Sequence, residues 1–258
     1  MDCGTVFTHS GNDVEFKADF TLKMMDRLGY DVMNVGIFDI RFLRKHLLNG
    51  VVFPAISTNL RGDFPYLRKY YIQEVSGVRV GILGILSPED LTELVNPQGL
   101  QIEDPVKALR EVLPKIRPQT DFVVLLSQMD WEDTMGLLNK VEGIDTAISC
   151  SQEGVHSRPA GDDEPLCHLS KGGHEVGRIS LKETNGEIGI ASQDIAPTDD
   201  SVLADREIKA LVEKTLYERK KYLKRQREME TRQKLLEGLK MSPADFIETM
   251  NNKERLEP

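Results

Sequence analysis

The sequence predicts an α/β sandwich that ends in a long carboxyl-terminal helix. Three observations carry this. Apolar, strand-length runs at Val78–Leu86, Thr120–Gln128 and Gly143–Ser149 alternate with helix-length segments, the pattern of stacked sheets with helices on their faces. The stretch Leu28-Gly29-Tyr30-Asp31-Val32-Met33-Asn34-Val35-Gly36-Ile37-Phe38-Asp39 reads as a helix end, a glycine turn, a short buried strand and an abrupt loop. In open α/β folds chemistry sits at such strand ends. Between Ser201 and Lys240 the one helix breaker is Gly238.

The elements follow in order. Val14 to Leu28 carries apolar residues at Phe20, Leu22, Met24, Met25 and Leu28, near helical spacing, and Gly29 stops the helix. Phe42–Leu48 is a short helical stretch and Phe53–Leu60 the next strand. Tyr70–Val75 and Val78–Leu86 are strands joined at Ser76-Gly77, a hairpin signal. The second is nearly all apolar and is expected at the centre of a sheet. Ser87-Pro88-Glu89-Asp90 opens a loop of helix-start character. Asp104-Pro105 caps a helix predicted to run to about Leu113, before Pro114.

Asp133–Val141 is read as a further helix, and Glu153–Glu164 as a polar loop. Leu166–Ser170, Glu175–Glu183 and Gly186–Asp194 are read as an antiparallel set, with Asn185-Gly186 its strongest turn. In the tail, Ile208, Leu211, Val212, Thr215 and Leu216 form an apolar stripe expected to dock on the domain. From Glu218 to Lys234 lysine and arginine take over, and a helix of about 35 residues would reach ~50 Å. Met241–Phe246 breaks it and restarts a short helix. The expected division is a domain over residues 1–200 and a charged linker or partner-binding tail over residues 201–258.

Composition narrows the function classes. The 258 residues carry a formal charge of −9, which argues against a general nucleic-acid binder. No apolar run of about 18 residues is present, so no membrane span is expected. Cys3, Cys150 and Cys167 show no metal or redox spacing. A Cys150–Cys167 disulfide and buried thiols both stand as readings. There is no G-x-S-x-G, P-loop or G-x-G-x-x-G motif. Asp130-Trp131-Glu132-Asp133 and Asp162-Asp163-Glu164 read better as helix-start acids and a solvated loop than as Ca²⁺ ligands.

Several of these stretches resemble one family. Residues 28–39 resemble the "lgyDa…GNHEfD" segment of the calcineurin-like metallophosphoesterases, in particular the amino-terminal domain of bacterial 5′-nucleotidases. Phe53–Leu60 resembles "FPvlsaNl", Gly77–Gly84 resembles "G-k-v-G-i-i-G", and Gly172–Leu181 resembles the closing strand. The resemblance runs from about residue 2 to residue 183 and implies a metallophosphoesterase-like α/β sandwich. Asp2-Cys3-Gly4-Thr5 matches D-x-G-D without a preceding strand, so the first βα unit is expected to be missing.

The resemblance also implies a two-metal centre, and the matching positions depart from it. Asp2 survives, but Thr5 stands where a bridging aspartate belongs. Ile37 and Phe38 replace the Asn and His, which leaves Asp39. The strand that should end in Ser-His ends in Ser127-Gln128. The Gly-Gly-His-Ser-His position reads Ser149-Cys150-Ser151-Gln152-Glu153. Asn59 is read either as a residue at the site's rim or as a strand-end residue bonding a turn. His156 is read as a loop histidine, with a swing back toward metal as the alternative. His9, His46, His168 and His174 do not pair at ligand spacing.

The resulting expectation is a degenerate nucleotidase-like domain without catalysis, with a binding or structural role and no cofactor. Its vestigial positions are Asp2, Thr5, Ile37, Phe38, Asp39, Gln128, Ser151 and Glu153. The alternative is a metal-dependent phosphate-ester hydrolase with two divalent ions such as Mn or Zn. It would use upstream ligands with Asp2, Asp39, Glu153 and His156. The 201–240 helix is the expected attachment to a protein partner or further domain. Localisation is periplasmic or otherwise exported if a signal peptide lies upstream, and cytoplasmic if Met1 is the true start.

Overall fold

The computed structural model describes residues 1–4, 6–7, 13–40, 42, 53–89, 99–150, 165–169, 173, 175–199 and 201–238. The chain divides into two compact units. One comprises Met1–His9 with Lys17–Leu203, the other Ser10–Phe16 with Ala204–Pro258.

The first unit is a mixed α/β arrangement. Helix α1, Val14–Arg27, contributes its residues from Lys17 onward to this unit and buries Ala18, Leu22 and Met25. It ends as expected at Gly29, whose φ of 72° accompanies bonds from Gly29 N to Asp26 O and from Tyr30 N to Met25 O. That is the left-handed helix stop that glycine adopts at least cost. A parallel three-stranded sheet follows, in the order β1 (Met33–Asn34), β2 (Ala55–Ile56), β4 (Leu67–Arg68). Asp2 extends it as a parallel bridge to Met33.

The main sheet has five strands, in the order β10 (Leu166–His168), β9 (Thr146–Ser149), β8 (Phe122–Ser127), β6 (Val78–Ile85), β5 (Tyr70–Val75). Its pairings are parallel except β5 with β6. That pair is the expected hairpin, with positive φ at both Ser76 and Gly77. Short strands β3 (Leu60–Arg61) and β7 (Gln101–Ile102) pair antiparallel. The hairpin of β11 (Glu175–Thr184) and β12 (Glu187–Pro197) turns at Asn185-Gly186.

Strand alternation divides the apolar residues between two layers. Leu83, Ile85, Val123, Leu125, Ala147 and Leu166 face helices α2 (Pro105–Ile116) and α3 (Trp131–Leu138). Val80, Ile82, Phe122, Val124 and Leu126 face the opposite way, onto Cys3, Val32 and Ile56. Residues from β11 and β12 pack against this second layer.

Four readings of the sequence require correction. Leu166–His168 does not join the later antiparallel strands. It adds a parallel strand to β9, placing Leu166 in the helix-side core and His168 opposite Ser149. Helix α2 does not stop before Pro114 but runs to Ile116, because its buried face of Ala108, Leu109, Val112 and Leu113 continues to Ile116. Helix α3 starts at Trp131 and ends at Leu138, since the Asp130 side chain caps it by accepting from Asp133 N. The span Phe53–Leu60 is interrupted: β2 ends at Ile56, and Ser57, Thr58 and Asn59 form a buried polar turn before β3.

In the second unit, α4 spans Arg206–Gly238. Its half-buried face repeats at Ile208, Leu211, Thr215, Arg219 and Tyr222, while Val212 and Leu216 are exposed. The covered face thus continues past the point where the apolar stripe fades. Arg219 Nε pairs with the buried Asp13 carboxylate, and the Phe16 and Tyr222 rings lie 5.5 Å apart. No described helix is long and apolar enough to cross a membrane. The expected helix at Phe42–Leu48 lies, apart from Phe42, outside the described residues, as do the loop Glu153–Glu164 and the short terminal helix.

Candidate functional site

The carboxyl ends of the strands bring Asp2–Gly4, Asn34–Asp39, Asn59, Gln128 and Cys150 to one edge of the sheets. The segment 2–4 runs beside β1: Asp2 N donates to Val32 O at 3.1 Å, and Asn34 N to Asp2 O at 2.9 Å. The Asp2 carboxylate accepts from Gly4 N at 2.8 Å. Burial raises its pKa above the ordinary aspartate value, and the bond from Gly4 acts in the opposite sense. Gly4, at φ 102°, is a crossing point. A Cβ there would come within 2.8 Å of both Gln128 Nε2 and Gly36 N, so a residue with a side chain does not fit.

Asn34 ties three segments together. Its Nδ2 donates to Cys3 O and Ile85 O, each at 3.0 Å, with Leu126 O at 3.4 Å. Its Oδ1 has no hydrogen-bond partner and sits where a Cβ on Gly84 would be, 2.2 Å away. The absent side chain at Gly84 therefore makes room for the amide.

Beyond Asn34 the loop turns on Asp39. One carboxylate oxygen accepts from Phe7 N at 3.0 Å and the other from Gly36 N at 2.8 Å. Asp39 is fully buried, as is Ile37 beside it; Phe38 is half-buried. Asn59 is also fully buried. Its Nδ2 donates to Leu86 O and Glu103 O, and its Oδ1 accepts from Leu86 N at 3.0 Å. Asn59 thus joins the end of β6 to the segment leading into α2. Gln128 N bonds Ile85 O, and its side-chain amide abuts Gly4. Thr5, Ser151, Glu153 and His156 lie outside the described residues.

Sequence reasoning assigned no role to two features here. Ser149 Oγ and His168 Nδ1 lie 2.7 Å apart, both buried, with the Trp131 ring edge-on to the imidazole. Burial lowers the His168 pKa, and Asp130 opposes that shift. Ser127 Oγ and Thr134 Oγ1 form a second buried pair at 2.8 Å. The Ser149–His168 pair ties the end of β9 to β10. The signal available in the sequence was the serine closing two successive apolar strands. The second feature is Cys3. Its Sγ donates to Ile148 O at 3.5 Å and is hydrogen-bonded to the Cys150 side chain, which with burial raises its pKa well above the usual thiol value.

A two-metal centre requires several oxygen and nitrogen donors converging with open lone pairs. The described residues do not fit that group. Ile37 is apolar, Asp39 uses both oxygens on backbone amides, and the Asn59 amide is bonded at both ends. Among the described residues no group of three or more His, Cys, Asp or Glu side chains is placed to hold a metal ion. An open groove of about 550 Å³ beside Arg110, Arg117 and Lys140 lies at the other end of the sheet and contains none of these positions.

No protein-family model matches the sequence, and neither does any curated protein. Solved structures do match in fold. The calcineurin-like phosphoesterase YfkN from Bacillus subtilis aligns at a TM-score of 0.71 and 20% identity, over 86% of this chain and 84% of that one. The sulfate thiohydrolase SoxB from Thermus thermophilus aligns at 0.69 and 22% identity, over 84% of this chain and 42% of its own. A 5′-nucleotidase precursor from the same species aligns at 0.69 and 17% identity, over 86% and 49%. The chain thus spans under half the length of the last two. It has the fold of calcineurin-like phosphoesterase and 5′-nucleotidase domains.

Proposed function

We propose that this chain is a phosphoesterase-fold domain without two-metal hydrolysis, in which the former metal edge has become a structural joint, and that its role is binding or structural. The observation that supports this most directly is Asp39. Its carboxylate is fully buried and holds Phe7 N and Gly36 N. Two of its roughly four acceptor sites are taken by amides, and its complete burial closes the rest to solvent. Ile37 fills the neighbouring ligand position with an apolar side chain. Within this reading residues 1–200 form the domain and residues 201–258 its tail. The 201–240 helix is the attachment to a protein partner or further domain. Tyr217, Met229 and Leu235 are each at least 60% exposed along it, surface that a partner would cover.

The test is metal content by mass spectrometry after incubation with Mn²⁺, Zn²⁺ or Fe²⁺ and desalting. It is run beside hydrolysis of p-nitrophenyl phosphate and nucleoside monophosphates. The expected result is no retained metal and no metal-dependent turnover. About two metals per chain, as a dimetal clamp requires, with turnover lost in Asp39→Ala, would establish the metal-dependent hydrolase instead and direct attention to Asp2, Glu153 and His156.

A further inference from the structure

The residues that meet at the strand ends include two thiols far apart in sequence. Cys3 belongs to the segment beside β1, at the edge of the three-stranded sheet; Cys150 follows β9 of the five-stranded sheet. Their side chains are within hydrogen-bonding reach, and Ile148 O, two residues before Cys150, is a second acceptor 3.5 Å from Cys3 Sγ. Both pack in the apolar layer between the sheets, Cys3 buried and Cys150 half-buried.

The backbones on both sides are held. Asp2 pairs with Val32 and Asn34, Cys3 O accepts from Asn34 Nδ2, and Gly4 N is bonded to the Asp2 carboxylate. Cys150 N donates to Ser127 O at 3.0 Å. These bonds fix the backbones that carry the two thiols. The third cysteine, Cys167, is buried on β10 in register with Ile148.

We propose that Cys3 and Cys150 are a redox-active dithiol that closes a disulfide between the two sheets when the chain meets a small-molecule disulfide. This goes beyond the non-catalytic reading above and does not depend on it. The more accessible Cys150, as its thiolate, attacks one sulfur of the external disulfide. That S–S bond breaks, one thiolate leaves, and a mixed disulfide remains on Cys150. Cys3 releases its proton to water, and its sulfur attacks Cys150 Sγ, expelling the second external thiolate. Two protein thiols are oxidised, and one external disulfide is reduced to two thiols. Cys3 is buried and Cys150 half-buried, so Cys150 is the residue an external disulfide reaches and Cys3 the resolving one. The disulfide would join segments from different sheets across the strand-end edge and alter the surface any ligand or partner meets there.

The test uses the whole chain, reduced, desalted and exposed to oxidised glutathione under native conditions. The reaction is stopped with acid, remaining thiols are alkylated, and the digest is mapped by mass spectrometry. The expected product is a Cys3–Cys150 linked peptide that also forms in Cys167→Ser, is absent from Cys150→Ser, and reverts to thiols with dithiothreitol. In Cys3→Ser, glutathione is expected to stay on Cys150. Three outcomes in the wild-type chain would overturn the proposal: Cys3 alkylated throughout after prolonged exposure, glutathione resting on Cys150 without resolution, or a Cys150–Cys167 link. The wild-type map decides even if a variant fails to fold.

Discussion

Gly36 and Asp39 are bonded to each other twice. Gly36 N donates to the Asp39 carboxylate at 2.8 Å, and Asp39 N donates to Gly36 O at 3.0 Å. The second carboxylate oxygen takes Phe7 N at 3.0 Å. One buried side chain thus closes the loop after β1 and ties it to the amino-terminal segment. Removing that carboxylate in Asp39→Ala leaves buried amide donors unpaired and should destabilise the fold by about 2–4 kcal/mol. Asp39→Asn keeps acceptor capacity on one atom and should cost about half as much. Urea unfolding midpoints measure both, and an Asp39→Ala chain as stable as wild type would refute the structural role.

Gly84 and Asn34 form a matched pair. A Cβ at Gly84 would meet Asn34 Oδ1 at 2.2 Å and Ile56 Cγ1 at 3.2 Å. Gly84→Ala should therefore cost about 1–3 kcal/mol through overpacking. Asn34→Ala frees the space but removes the amide donor from Cys3 O and Ile85 O, of which Ile85 O keeps Gln128 N. The double variant should lose less than the two losses added, by about 1 kcal/mol or more. Strict additivity would show that the clash is absorbed elsewhere.

His168 gives a pH signature. Burial lowers its folded pKa, while the unfolded chain protonates near the ordinary histidine value of about 6.5. Below that value the unfolded state binds more protons, so stability falls with pH. The contribution is fully present above the unfolded value and is lost as pH drops through the folded one. Melting temperature should decline from pH 7 toward pH 5 in the wild type and decline less in His168→Asn. Parallel profiles would remove His168 as the cause.

Asp121 titrates in a lower window. The Arg79 side chain and Arg79 N both bond its carboxylate and hold its pKa at about 2, against an ordinary 3.8. The advantage of wild type over Asp121→Asn should be constant above about pH 4 and vanish as pH falls toward 2. Unfolding midpoints across that range would show it, and added salt should shrink it because the pair is exposed.

Much of this fold can be read locally. The turns at Ser76-Gly77 and Asn185-Gly186 each end in a glycine, which adopts positive φ at least cost, and both form the expected hairpins. Asp104-Pro105 starts α2 through a side chain that accepts from Lys107 N. The apolar runs at Val78 and Phe122 become adjacent parallel strands. Such features depend on a few neighbouring residues, so sequence carries them. Strand partners do not: Leu166–His168 has the length and composition of an edge strand in either sheet, and it joins β9 because its alternation matches the helix-side core.

The sequence by itself determined which side chains stand at positions 37, 38 and 128, an isoleucine, a phenylalanine and a glutamine, since that needs only residue identity. It also determined the elements whose propensities are local. Tertiary structure alone decided what those residues and their neighbours meet at the strand ends. Asp39 binds amides from two segments, Asn34 reaches carbonyls from three, and Cys3 meets Cys150 across two sheets. These contacts join residues remote in the chain. A side chain's polar partners are set by the sheets that converge on it, and no local pattern records that convergence.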